Sequence, residues 1–303
     1  MSAFKEVAES WLRDKSSTVK RSTLLAYALT LKTHLIPAFG SMERVEEGDA
    51  QKFINDNLAQ GLSKKTIRDI IAVLKSVAKY GSKRKSFPFE EWELKYPRNG
   101  HPSRPKTFSL LEHQTLMRYL VDNMNSRNIG ILLSLCTGMR IGEVCALRWE
   151  DVDFENRLIR VRHTAEVIYD CSRGRTEEIF STPKTANSFR EIPISKILLS
   201  ALKRVRAKDP SLFVVGNSSA FKKPRAFRDY FNRMLKKLGL PRIPFHGLRH
   251  TFATRCIESQ CDYKTVSALL GHSNVATTLN LYVHPNIDQK KNAVSKMERA
   301  LKI

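Results

Sequence analysis

The chain has 303 residues, 42% of them hydrophobic and 27% charged, which is typical of folded proteins, excludes intrinsic disorder and predicts two domains. No stretch approaches the ~18 consecutive apolar residues of a membrane span, and the N-terminus lacks a secretory signal, so we expect a cytoplasmic protein without membrane contact. The formal charge of +22 favours a polyanionic partner, because nucleic acid would relieve such self-repulsion.

The N-terminal part of the chain has the apolar spacing of four amphipathic helices. The fourth is the most clearly marked, because Ser63 is a suitable N-cap, an apolar stripe follows it, and Gly81 would end the helix. The first expected helix spans 3–14, and the fourth spans 63–81. The second begins after Ser22 and is stopped by Pro37 and Gly40, and the third follows Gly48 and Asp49 and runs to Gly61. Together they predict a small all-helical domain.

Three basic residues, Lys64, Lys65 and Arg68, lie near the start of the fourth predicted helix. They are candidates for DNA contact, but a solvated helix face explains them equally well.

Residues 96–107 contain three prolines and a glycine with few apolar side chains, which is typical of a linker. We therefore expect a helical, core-type DNA-binding domain at 1–98, a linker at 99–107 and a second domain at 108–303.

The second domain is predicted to be mainly helical, with a small inserted sheet. Residues 110–121 and 128–138 resemble helices, and the latter segment is apolar all round, which indicates burial. Three short β-branched segments then predict a three-stranded antiparallel sheet, at 157–164, 177–183 and 188–194. Helical periodicity returns after Ser195 and continues to the end.

Both halves of the chain are basic. Residues 1–107 carry 20 Lys and Arg against 12 Asp and Glu, and residues 108–303 carry 32 against 18, so a single charged tail does not explain the charge. A membrane headgroup layer is an alternative partner, but neither a basic amphipathic anchor nor a lipidation motif is present.

The five cysteines are odd in number and lack a CxxC pair, so neither a disulfide framework nor a zinc site is expected.

Four of the eight histidines are clustered near the C-terminus, namely His246, His250, His272 and His284. The first two have the i, i+4 spacing of an HExxH zinc motif, but the glutamate is missing and Arg249 between them would repel a metal. His246 and Arg249 instead share one helical face and offer an imidazole and a guanidinium to one anion, such as a phosphodiester.

Four motifs in order closely resemble the tyrosine recombinase (phage integrase) family: T-G-M-R-I-G-E-V at 137–144, H-G-L-R-H at 246–250, L-G-H at 270–272, and Tyr282. Within the family, the chain is most similar to the integrases of conjugative transposons and temperate phages. The first domain resembles the family's core-binding domain, with S-T-L-L-A-Y ahead of H-L-I-P-A-F-G. The resemblance implies the DNA breaking-rejoining fold and a 3′-phosphotyrosyl intermediate.

The resemblance assigns six catalytic residues: Arg140, Lys184, His246, Arg249, His272 and Tyr282. It implies that Arg140 and Arg249 clamp the scissile phosphate in place of a metal, stabilising charge as an oxyanion hole does. His246 would receive the tyrosine proton and His272 would hydrogen-bond the phosphate. Glu143 resembles the acidic residue that orients the site.

Lys184 lies in the polar turn T-P-K-T-A-N-S, where the family has a hairpin lysine that protonates the departing 5′ oxygen. Tyr282 matches the nucleophile, a phenol whose ordinary pKa near 10 requires a base and cations nearby. His250 and His284 have no catalytic match and are expected to be structural or supporting.

The resemblance also implies the partners. Double-stranded recombination sites would be the substrate, a homotetramer would form in the synapse, an accessory directionality factor could take part, and no cofactor or metal is expected. An apolar helical stripe after Tyr282 would be buried on its own domain or on a neighbouring subunit: Ala293, Val294, Met297, Ala300 and Leu301. The residues leave open integration, excision or resolution, and whether a preceding arm-binding domain has been truncated.

Two other functions compete with recombination. A type IB topoisomerase shares this active-site chemistry but works as a monomer, and the resemblance of the first domain to a core-binding domain argues against it. A non-catalytic DNA-binding regulator with the same fold would be expected to lack at least one of the six residues, and none is missing.

Overall fold

A computed structural model describes residues 4–84, 89–97, 106–171, 173–182, 189–282, 291, 294–295, 297–299 and 301, without the side chains of 277 and 280–282. The chain divides into two compact units. The first comprises Met1–Pro102 and Val167–Ile179, and the second comprises Ser103–Glu166 and Phe180–Ile303. No helix in the described part of the chain is long and apolar enough to cross a bilayer.

The first unit is built mainly from helices that follow the predicted apolar stripes. They are α1 (Phe4–Lys15), α2 (Arg21–Thr30), α3 (Ile36–Phe39), α4 (Glu47–Ala59) and α5 (Lys64–Lys83). Their inward faces form a core that includes Trp11, Ile54 and Leu74. Ser63 caps α5 as expected, because its hydroxyl accepts a hydrogen bond from the Thr66 N–H.

The second predicted helix ends before Gly40 as expected but is not stopped by Pro37, and α5 does not end at Gly81. The second predicted helix continues through a π-helical turn, Leu31–Leu35, into α3, which contains Pro37. Proline has no N–H to donate, and the wider turn before it accommodates the missing hydrogen bond. Helix α5 runs past Gly81, which is buried in the helix, because glycine lowers helix stability by only about 1 kcal/mol.

The second unit is also mainly helical, so the predicted fold class is confirmed. Its helices are α6 (Leu110–Asp122), α7 (Asn128–Thr137), α8 (Ile141–Ala146), α9 (Lys196–Val205), α10 (Pro224–Lys237), α11 (His246–Glu258), α12 (Tyr263–Leu270) and α13 (Val275–Tyr282). Helix α7 is buried along its length apart from Cys136, as its all-apolar sequence predicts. It contributes Ile131, Leu132 and Leu133 to the core.

The strands are β1 (Val152–Asp153), β2 (Leu158–Val161), β3 (Thr164–Asp170), β4 (Arg175–Ser181) and β5 (Arg190–Pro193). They form a three-stranded sheet in the order β1-β2-β5 and a β3-β4 pair. Strands β2 and β5 are antiparallel as predicted, with Ile159 opposite Ile192.

The predicted composition of the three-stranded sheet is wrong in one strand. Residues 177–181 of the predicted segment 177–183 lie in β4 and so belong to the β3-β4 pair, and the short strand β1 takes the third position beside β2. Alternation of side chains identifies a segment as a strand but does not choose its partner, and β1 is too short to show alternation.

Candidate active site

The turn between α7 and α8 places Arg140 at the start of α8. Gly138 ends α7 with a φ of +68°, a backbone conformation that favours glycine. A Cβ atom at this position would lie 2.6 Å from Leu270 and 2.7 Å from Phe252. The absence of a side chain therefore lets α11 and α12 pack directly on the turn that precedes Arg140.

The Arg140 guanidinium is held by two partners from different parts of the unit. Nη1 donates to Oε1 of Glu143 at 2.8 Å, and Nη2 donates to the carbonyl oxygen of Gly271 at 3.0 Å. Gly271 directly precedes His272, so this second bond fixes the arginine beside the predicted phosphate-binding histidine. The Arg140 side chain is 37% exposed and can still meet an anion.

Arg249 lies on α11 and is almost completely buried, with 1% of its surface exposed. Its Nη1 donates to the carbonyl oxygen of Gly138 at 2.9 Å, on the turn that precedes Arg140. A guanidinium keeps its proton even when buried, so Arg249 is a second fixed cation in this region.

His246 and His272 have strongly lowered pKa values. Desolvation, followed by the charges of His250, Arg249 and Arg140, lowers the pKa of His246 to about 4. Desolvation and the charges of Arg249 and Arg140 lower the pKa of His272 to about 4 as well. Both imidazoles are neutral at pH 7, so each has one nitrogen that can accept a proton and one that can donate.

Two further residues contact the site although the sequence analysis gave them no role. Arg190 in β5 donates to both carboxylate oxygens of Glu143, at 2.8 and 3.2 Å. Thr278 in α13 is fully buried, and its hydroxyl oxygen lies 2.8 Å from Nδ1 of His272. Arg190 stands in the predicted strand segment 188–194, but no motif spacing connects it with Glu143.

Burial by itself raises the pKa of Glu143. Hydrogen bonds from Arg190, together with the charges of Arg190 and Arg140, outweigh burial and lower the pKa below its usual value. The carboxylate is therefore ionised, and it takes part in fixing both arginines.

The remaining predicted residues are described less completely. Tyr282 is the last residue of α13, and its side chain lies outside the described part of the structure. Lys184 and His284 also lie outside the described residues. The structure thus brings Arg140, His246, Arg249 and His272 together. The helix that ends at Tyr282 follows His272 in the chain.

The three basic residues at the start of α5 have different surroundings. Lys64 donates to the carbonyl oxygen of Pro97, and the Arg68 guanidinium lies 4.9 Å from the ring centre of Tyr96. The Lys65 side chain is 90% exposed. Lys64 and Arg68 therefore help to hold residues 96–97, which follow the last helix of the first unit, while Lys65 presents its charge to solvent.

The site can bind an anion and exchange protons. Arg140 and Arg249 supply positive charge, and the neutral imidazoles of His246 and His272 supply proton acceptors and hydrogen-bond donors. Among the described residues, no group of three or more His, Cys, Asp or Glu side chains could hold a metal ion.

Comparison with protein families gives two matches that together cover most of the chain. The family described as "Phage integrase family" matches residues 109–289, and "Phage integrase, N-terminal SAM-like domain" matches residues 3–57.

Known proteins with similar sequences include recombinases and transposases. The "Tyrosine recombinase XerC-like" of Caldanaerobacter subterraneus subsp. tengcongensis is 30% identical over 274 residues, which cover 80% of this chain and 68% of the relative. The "Transposase from transposon Tn916" of Enterococcus faecalis is 34% identical over 207 residues, 62% of this chain and 49% of the transposase. The chain thus spans about half the length of that transposase.

A solved structure shares the fold over almost the whole chain. The Tn1549 transposon integrase in complex with a circular intermediate DNA superposes with a TM-score of 0.79 at 22% sequence identity, covering 98% of this chain and 100% of that chain. At this level of identity, the similarity shows the fold.

Proposed function

This chain belongs to the phage integrase family of site-specific tyrosine recombinases, and from that premise we propose that it cleaves and rejoins DNA through a 3′-phosphotyrosyl bond to Tyr282. The observation that carries the proposal is the convergence of two fixed arginines, Arg140 and Arg249, with the neutral imidazoles of His246 and His272. The task would be integration or excision of a mobile element or prophage.

In the cleavage step, the phenolic oxygen of Tyr282 attacks the scissile phosphorus while the bond to the 5′ oxygen of the next nucleotide breaks. His246 accepts the phenolic proton, because the bound phosphate anion opposes the arginine charges that lower its pKa in the free site, and Lys184 gives a proton to the departing 5′ oxygen. A 5′ hydroxyl of the partner strand then attacks the phosphotyrosine and releases Tyr282. One phosphodiester is exchanged for another, so rejoining needs no ATP.

The two arginines would stabilise the transition state. Negative charge grows on the non-bridging oxygens as phosphorus becomes pentacoordinate, and fixed cations at that position need no reorganisation. One such donor is worth roughly 100- to 1000-fold in rate in other enzymes. His272 adds a hydrogen bond to the same oxygens.

The proposed reaction also requires several copies of the chain. Exchange of four strands between two duplexes needs four nucleophiles, so we propose a homotetramer on two recombination sites, with an accessory directionality factor as a further partner. Val294, Met297 and Leu301 are more than half exposed, and a neighbouring subunit would cover this apolar surface. Residues 1–98 would bind the DNA as a core-binding domain. Action on chromosomal DNA would place the protein in the cytoplasm.

The test is covalent trapping on a suicide substrate. DNA that spans the joined ends of the encoding element is nicked near the cleavage position, so that the released 5′ fragment diffuses away and the phosphotyrosine persists. We expect the wild-type chain to form a denaturant-resistant adduct and Tyr282→Phe to bind the same DNA without one. Tyr263→Phe, at a partly exposed tyrosine on α12, is the matched control and should form the adduct normally.

An undiminished adduct in Tyr282→Phe would contradict the assignment of the nucleophile. DNA binding by the wild-type chain without any adduct would favour the non-catalytic regulator. Relaxation of supercoiled DNA by the monomer, without pairing of two sites, would favour the topoisomerase.

A further inference from the structure

A buried ion cluster lies behind Arg140. The side chains of Arg190 and Glu143 are 6% and 3% exposed, and they are joined through both carboxylate oxygens. Arg140 binds the same carboxylate at 2.8 Å while 37% of its own side chain stays exposed. One carboxylate is therefore shared by a buried guanidinium and by a guanidinium that faces solvent.

The charges in this cluster determine what Arg140 can offer to DNA. With Arg140 as its sole partner, the Glu143 carboxylate would cancel the positive charge where a phosphate has to bind. Arg190 brings a second guanidinium, and two positive charges against one negative charge leave the cluster with one net positive charge. Because the pair is buried, water screens these charges weakly.

We propose that Arg190 is a positioning residue of the active site, which neutralises Glu143 and thereby leaves Arg140 a net cation for the scissile phosphate. This inference rests on the proposed recombinase function. Arg190 acts through Glu143 and Arg140, since its own side chain is buried behind them.

A third hydrogen bond extends this role to the geometry of the site. Nε of Arg190 donates to the carbonyl oxygen of Leu269, near the end of α12. Arg140 binds the carbonyl oxygen of Gly271, two residues further along the chain. Arg190 thus fixes both the carboxylate and the chain segment that hold Arg140. A planar guanidinium can serve these acceptors together, which a lysine ammonium cannot do with the same geometry.

Arg190 could act through its charge or through its packing. A variant that restores the net charge of the cluster without restoring the arginine distinguishes the two roles. Arg190→Met keeps an apolar side chain of similar reach and leaves Glu143 opposite Arg140 alone. Adding Glu143→Gln removes one negative charge and returns the cluster to its wild-type net charge. The variants are compared by the single-turnover rate of adduct formation on the suicide substrate, below the unfolding transition of each protein.

We expect Arg190→Met to lower the cleavage rate on the order of 10- to 100-fold, because a transition-state cation is weakened. The double variant should cleave faster than Arg190→Met. Affinity for uncleaved DNA should change less than about threefold, because other phosphate contacts dominate it. Arg190→Lys, which keeps the charge but loses the planar fork, should also cleave faster than Arg190→Met. If methionine prevents folding, Arg190→Gln, which also removes the positive charge, takes its place in both comparisons.

The matched control is Arg160→Met in the same sheet. Arg160 binds Asp153 and Glu191 at 2.8 and 3.2 Å, on a more exposed surface, and its replacement should leave the cleavage rate unchanged.

A double variant as slow as Arg190→Met or slower would overturn the inference, because a purely structural arginine makes the second substitution an added loss. A wild-type rate in Arg190→Met would overturn it as well. Absence of an adduct with the wild-type chain on the same DNA would count against the proposed recombinase function instead.

Discussion

The Nδ1 atom of His272 lies 2.8 Å from the hydroxyl oxygen of Thr278, which is fully buried in the helix that ends at Tyr282. A neutral imidazole carries its proton on one of its two nitrogens. When the hydroxyl donates to Nδ1, the proton is on Nε2, and Nε2 can donate a hydrogen bond to a phosphate oxygen. The contact therefore links the protonation pattern of His272 to the helix that ends at Tyr282, the proposed nucleophile.

We expect Thr278→Val, which keeps the side-chain shape but removes the hydroxyl, to lower the cleavage rate roughly 10- to 100-fold, by analogy with groups that orient metal-bound histidines in other proteins. DNA affinity should stay unchanged. Thr278→Ser keeps the hydroxyl and is the control, expected to retain most of the rate. Nitrogen NMR shifts of His272 report its tautomer directly, and a wild-type rate with an unchanged tautomer in Thr278→Val would contradict this role.

Lys184 is tested by changing the leaving group. Lys184→Ala should cleave ordinary DNA about 100- to 10,000-fold more slowly, the usual contribution of a general acid. A substrate with sulfur at the bridging 5′ position should restore cleavage, because a thiolate leaves without protonation. Lys196→Ala, at the exposed start of α9, is the control and should cleave both substrates normally. Failure of the sulfur substrate to restore cleavage would assign the proton donor elsewhere.

The net charge of +22 predicts a steep dependence of DNA affinity on salt. If both domains neutralise about 6 to 10 phosphates in total, affinity should fall roughly 1,000- to 100,000-fold between 50 and 200 mM salt. Titrations by fluorescence anisotropy at several salt concentrations would measure this slope. A nearly flat dependence would show that the charge serves something other than DNA.

The basic residues at the start of α5 can be ranked within the same titrations. Lys65→Ala should reduce the salt slope by about one if this exposed lysine contacts a phosphate. Lys64→Ala is the comparison, because Lys64 already donates to the Pro97 carbonyl and should affect the slope less. Equal slopes for wild type and Lys65→Ala would identify this face as merely solvated.

The C-terminal segment provides a prediction about assembly. Val294, Met297 and Leu301 are 53%, 52% and 60% exposed, which fits docking on a neighbouring subunit better than docking on their own domain. Deletion of residues 290–303 should leave binding to a single site intact and impair pairing of two sites. Met297→Asp should have the same effect, whereas Glu298→Ala on the same segment should not. Native gel shifts with one and two sites would measure both steps, and normal pairing after the deletion would show that the segment packs on its own domain.

The features that the sequence determined by itself are those fixed by local geometry. The stripe and N-cap of α5 follow from the helical repeat and from a hydroxyl three residues before an N–H, so Ser63 could be assigned without a structure. The same holds for the pair Arg140 and Glu143, three residues apart at the start of α8. Their roles, and that of Tyr282, came from resemblance of ordered motifs rather than from spacing.

The tertiary structure alone decided which distant groups meet. Arg190 and Glu143 are 47 residues apart in sequence, Arg249 and Gly138 are 111 apart, and Arg140 and Gly271 are 131 apart. The predicted sheet partners of segment 177–183 were wrong for the same reason. Periodicity reports the backbone geometry of one element, whereas the partners of a strand or a buried charge depend on how separate elements pack, which no local pattern encodes.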